Sequence, residues 1–142
     1  MSNRIGAISG ILLLIFGSLV PAFGLAELER ATISDPRLEN AFGVKIEDNV
    51  NVLQQVQISA DVTNHQEKSQ SFVYLVQIKD KSDFIVSIGW ISANFAPDQK
   101  FTPSLSWTPD REGEYTAEIF VWEGFKSHRA LSEYSMIQIS VS

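Results

Sequence analysis

His65, His128 and Met136 are the softest donors this chain offers to a metal, and copper is the ion they would suit. Soft ligands act in clusters, whereas the two histidines fall in different turns. The expectation is therefore two solvent-facing imidazoles and no copper site. Glu47-Asp48-Asn49 and the pair Asp80 and Asp83 offer oxygen ligands for calcium. Neither shows the alternating acidic positions and central glycine of an EF-hand loop, so both read as turn residues. Glu112, Glu114 and Glu118 would need to face one another across a scissile bond to act as a hydrolytic pair, and they read as turn or wet-face residues. No Gly-x-Ser-x-Gly elbow, phosphate-cradling glycine loop, His-Glu-x-x-His or dinucleotide fingerprint occurs in the 142 residues. Cysteine is absent, which removes thiolate ligands, a sulfur nucleophile and any disulfide framework. The chain reads as non-catalytic, with no metal and no cofactor.

The formal net charge is −6. Nucleic acid is a poor partner for such a surface, because phosphate backbones require clustered Lys and Arg. Here Lys45, Lys68, Lys79, Lys81, Lys100, Arg111, Lys126 and Arg129 are scattered.

Side chains with no chemistry of their own then carry the reading. After about residue 42, apolar and polar residues alternate over short runs, the period of half-buried strands. Val56, Ile58, Ala60 and Val62 point one way, and Gln57, Ser59 and Asp61 the other. Seven strands are expected, near Phe42–Ile46, Val56–Val62, Ser71–Lys79, Phe84–Ser92, Phe101–Trp107, Tyr115–Trp122 and Glu133–Val141. Turn chemistry separates them, as at Asp80-Lys81-Ser82-Asp83 and Pro97-Asp98-Gln99. Pro103 cannot donate to a ladder, so the fifth strand belongs at a sheet edge or a bulge.

The segment Trp107-Thr108-Pro109-Asp110-Arg111-Glu112-Gly113-Glu114-Tyr115-Thr116-Ala117 resembles the E–F corner of immunoglobulin-like and fibronectin-like domains. Gly113 supplies a left-handed turn, and Tyr115 buries its ring while its hydroxyl finds nearby backbone. Ala117 stands where antibody domains carry their second core cysteine, so the antibody-type disulfide is missing. The resemblance implies an all-β, seven-stranded immunoglobulin-like sandwich. A fibronectin type III-like order is preferred, with strands one, two and five in one sheet and three, four, six and seven in the other. The stretch from about Asn51 to Ser142, including Phe72-Val73-Tyr74-Leu75-Val76-Gln77 and Phe120-Val121-Trp122-Glu123, also resembles small exported β-sandwich proteins of ammonia-oxidising archaea. That resemblance implies a cell-surface or extracellular location and an adhesive or structural role, and carries over no catalytic residue.

Location rests on the N-terminus. No charged side chain occurs from Ile5 to Ala26, Arg4 stands just before this run, and Ile11 to Phe16 is its most apolar part. This is the layout of a secretory signal helix, with cleavage sites after Gly24 or Ala26. The run is also about long enough to span a membrane as an uncleaved anchor. The expected organisation is residues 1–26 as signal peptide or anchor, 27–41 as linker and 42–142 as the sandwich. Membrane contact would come only through an uncleaved N-terminal segment.

One oddity points to partners. With Tyr115, Ala117, Ile119 and Val121 facing the core, Phe120 and Trp122 face out. With Phe72, Tyr74, Val76 and Ile78 inward, Val73 and Leu75 face out. The four form a candidate exposed patch, fit for a cell-envelope protein or for a second copy of the chain. The competing expectation is that the linker, the loop containing Phe125 or sheet twist covers them. Exposed aromatics drawn from Trp90, Trp122, Phe95 and Phe125 would instead suit a polysaccharide, although Trp90 and Trp107 read first as core anchors.

Overall fold

Alternation of apolar and polar side chains leaves each strand one greasy face, and two sheets close on each other to bury those faces. The computed structural model describes residues 24–142. The expected apolar N-terminal helix falls on residues outside the described ones, except for its last three positions. The strands are β1 (Ala31–Glu39), β2 (Lys45–Ile46), β3 (Asn49–Val50), β4 (Val56–Asn64), β5 (Gln70–Asp80), β6 (Ile85–Phe95), β7 (Lys100–Phe101), β8 (Ser104–Trp107), β9 (Gly113–Trp122) and β10 (Ser135–Val141). The first sheet runs β2-β1-β4, with β7 and β8 both paired to the far side of β4; the second runs β3-β10-β9-β5-β6. The fold is an immunoglobulin-like sandwich in the expected fibronectin type III-like order.

The start of the domain differs from the sequence reading. The segment expected to be a linker contains β1, which pairs with β4 from Ala31↔Asn64 to Glu39↔Gln57. A bulge at Asp35-Pro36 places two β1 residues opposite one β4 residue. Inward-facing positions consequently switch from odd (Ala31, Ile33) to even (Leu38), and the period-2 signal cancels. Pro36 fits there because a bulged residue needs no ladder donor. The expected first strand at Phe42–Ile46 shrinks to β2, folded back on β1 across a turn in which the Asn40 side chain accepts from the Phe42 and Val44 amides at 2.9 and 3.0 Å.

The fifth strand is an edge, as Pro103 requires. β7 and β8 share one register on β4 and are separated by Thr102-Pro103. The core between the sheets holds Ile58, Val62, Phe72, Tyr74, Ile78, Phe95, Ile119 and Ile139, all essentially inaccessible. Fully burying one such side chain contributes ~1.5–3 kcal/mol, which is how a chain without disulfides stays folded. Buried polar groups are satisfied: the Tyr74 hydroxyl donates to the Ile58 carbonyl at 3.1 Å. The Asn64 amide donates to the carbonyls of Lys68 and Ala96 at 2.9 and 3.0 Å. Burial pushes the Tyr74 phenol well above its ordinary value.

At the corner, Tyr115 donates to the Arg111 carbonyl at 2.9 Å and packs edge-on against buried Trp107 with centroids 5.2 Å apart. Gly113 has φ of 150°, a conformation L side chains rarely adopt, rather than the left-handed turn expected of it. The β5–β6 hairpin turns where the sequence placed it, with Asp80 Oδ1 accepting from the amides of Ser82 and Phe84 at 2.8 and 3.0 Å.

Candidate interaction surface

The two outer faces of the sandwich differ in chemistry. On the first sheet, Asp61 accepts from Thr102 at 3.0 Å and pairs with Lys100 at 3.2 Å and Arg37 at 3.4 Å, while Arg37 also reaches Glu39 and Asp35. This face is zipped by charge. Partial burial pushes the Asp61 carboxyl up, but the Thr102 hydrogen bond and the Lys100 and Arg37 charges outweigh it and hold it below the usual carboxylate range.

The outer face of the second sheet has a polar and an aromatic half. In the polar half, Glu118 accepts from Gln77 at 2.9 Å and pairs with Lys79 at 3.0 Å, and Thr116 donates to Gln138 at 3.1 Å. In the aromatic half, the ladders set Trp90 and Phe120 on either side of Leu75, and Ser92 and Trp122 on either side of Val73. All four residues of the expected patch thus share one face, but their exposure is corrected. Val73 and Leu75 are only 3% and 5% accessible, because both lie on the interior strand β5, Leu75 between Trp90 and Phe120 and Val73 beside Trp122. Phe120 and Trp122 are half-buried. The accessible layer is formed by residues the sequence did not single out for this patch. Tyr134 stacks on Phe120 at 5.5 Å and Phe125 meets Trp90 edge-on at 5.4 Å. Trp90, Phe125 and Tyr134 are 54%, 51% and 52% exposed. Trp90 is therefore not a core anchor, whereas Trp107 is; Phe95 is buried against Phe72 and unavailable to a ligand.

Beside this layer runs an apolar groove of about 460 Å³ lined by Leu28, Phe120, Trp122, Ala130 and Tyr134. Leu28 is brought there by a clasp. The Arg30 guanidinium bonds the Glu123 carboxylate and donates to the Ala130 carbonyl at 3.1 Å, while Glu27 accepts from Arg129 at 2.7 Å. Hydrogen bonds from Arg30 and Ser127 hold the Glu123 carboxyl below its ordinary value.

Carboxyls lowered in the folded state bind fewer protons than in the unfolded chain. Their contribution is complete above the ordinary values of 3.8 for Asp61 and 4.5 for Glu123, and is lost as pH falls through the lowered ones. The melting temperature is expected to hold from neutrality to about pH 5 and to fall below about pH 4, with a shallower fall in Asp61→Asn. Calorimetry across this range checks it, and a curve flat to pH 2 contradicts it.

The metal candidates do not assemble. His65 Nε2 lies 2.9 Å from Thr32 Oγ1, His128 packs beside Trp122, and the Met136 sulfur faces Gln138. Among the described residues no three His, Asp or Glu side chains converge. Among them, too, no helix is long and apolar enough to cross a membrane.

No family model matches the chain, and no curated protein does. Its fold is similar to the C-terminal domain of wzt. That similarity has a TM-score of 0.65 at 15% identity and covers 82% of this chain and 76% of that one. A CARDB domain from Pyrococcus furiosus, solved in complex with di-metal ions, gives 0.56 at 19% identity over 83% of this chain and 97% of that one. A β-glucosidase from Erythrobacter marinus gives 0.57 at 11% identity, and the match takes in only 15% of the enzyme. At these identities the likeness is one of fold.

Proposed function

We propose that this protein is a non-catalytic binding or structural module that acts outside the cytoplasm, at the cell surface, by associating with another cell-envelope protein through the aromatic half of the second sheet. The observation that carries the reading is the contrast between the faces. One is closed by ion pairs, and the other presents Trp90, Phe125 and Tyr134 over a layer that is already buried. Aromatic side chains gathered on an otherwise polar surface are the composition of an interface core. The apolar N-terminal run supports export. A polysaccharide partner and a role as accessory subunit of a membrane complex are the competing readings.

Trp122→Ser combined with Tyr134→Ser is expected to leave the strand spectrum intact and to reduce in-cell cross-linking to the envelope partner by at least tenfold, the effect of losing one to two hot-spot residues. Undiminished cross-linking removes this face from consideration. Tryptophan fluorescence titrated with envelope polysaccharide is expected to stay flat; a saturable change would favour the sugar reading.

A further inference from the structure

Among the described residues the two sheets leave four edges, and these are managed very differently. β2 and β3 are two residues long, and the β7–β8 edge is interrupted at Pro103 and carries Lys100. Short strands, proline and lysine are the devices by which proteins keep sheet edges from pairing. β6 has none of them. It is eleven residues long, pairs among the described residues on one side only, with β5, and lies within Phe84–Pro97, a run without a single charged side chain in a chain of net charge −6. A bulge at Val86 disturbs only its first residues, and the ladder runs in register from Ser87 to Phe95.

We infer that β6 is a pairing edge for a second copy of this chain, the two β6 strands joining antiparallel about a two-fold axis into one continuous sheet. Charge argues for a second copy. Two surfaces of the same acidic chain repel, and an edge without charge lets them meet with no like charges opposed. Symmetry agrees, because an antiparallel strand pair is self-complementary and closes at two. A pairing centred on Gly89 sets Ile88 opposite Trp90 and Ser87 opposite Ile91, with no side chain at the axis. The area is of the right order. Phe84, Ile85, Val86, Ile88 and Trp90 are each between 47% and 70% exposed; with apolar side chains of this size they leave roughly 500 Å² open, before counting backbone, against the ~800 Å² each partner commits in a stable complex. This inference concerns the edge, which shares Trp90 with the aromatic face, and the two sets of variants below tell the edge from the face.

The test is the protein mass of the full chain, measured by light scattering during size-exclusion chromatography in mild detergent over a concentration series. Twice the single-chain mass is expected at the upper end. Ile88→Lys with Ser92→Lys, both exposed positions, is expected to return the single-chain mass with an unchanged strand spectrum, while Trp122→Ser with Tyr134→Ser keeps the doubled mass. A single-chain mass throughout, a mass above two copies, or a doubled mass that persists in the lysine variant overturns the inference. Loss of the doubled mass in the Trp122 and Tyr134 variant alone would overturn it too, in favour of the face.

Discussion

A chain shortened to begin at Phe42 is expected to show no cooperative unfolding transition, while one beginning at Gly24 unfolds in a single step. Residue 42 is where alternation in the sequence begins, but β1 lies before it. Its removal takes away Ala31 and Leu38, both wholly buried, and the ladder that pairs β4 along its length. β4 would then hold an open row of backbone donors and acceptors, each costing ~1–3 kcal/mol where water cannot reach it. The loss of ~1.5–3 kcal/mol for a large buried side chain adds to this. Against a total stability of ~5–15 kcal/mol the domain does not survive. Urea titration followed by circular dichroism compares the two forms; equal midpoints would show that β1 is an accessory and not a member of the fold.

The second large effect is expected at Phe72. Its ring lies 4.4 Å from that of Phe95 and 5.7 Å from that of Phe101, so one side chain from β5 bridges the second sheet to an edge strand of the first. Phe72→Ala is expected to cost ~3–5 kcal/mol, the range for deleting a buried ring whose neighbours cannot close the cavity. The melting temperature then falls by ~10 °C or more. An unchanged urea slope with a lower midpoint would place the loss in the folded state. A cost below ~1 kcal/mol would mean that the sheets repack without the ring.

The inward rows of three strands could be read from the residues alone. β4, β5 and β9 each carry four apolar residues at every second position, and the inward sets expected for them are the inward sets observed. The Tyr115 corner and the edge position forced by Pro103 were equally legible, because each rests on one residue's chemistry. β1 was hidden by its bulge, which shifts the apolar positions by one and erases the period. Trp90 was hidden for the opposite reason: β6 is apolar on both faces, with Ile88 and Trp90 on one and Ile91 and Ala93 on the other, so alternation cannot choose between them. Val73 and Leu75 were assigned to the right face but not to the right depth. Depth depends on which large side chains flank a position across the ladder, and one strand's sequence does not contain its neighbours. Tyr134, Phe125 and Leu28 join the site through the β9–β10 connection and the Arg30 clasp, which are contacts between segments far apart in the chain.

The amide of Ala31 donates to the carbonyl of Leu131, just ahead of β10, and β10 ends opposite Gly113 at the far end of the sandwich. The polypeptide therefore enters at one pole and leaves at the other, with β1 and β10 running in the same direction along the long axis. Tension between the two poles would pull β1 along β4 and β10 along β9 in shear, loading each row of ladder bonds together rather than unzipping them one at a time.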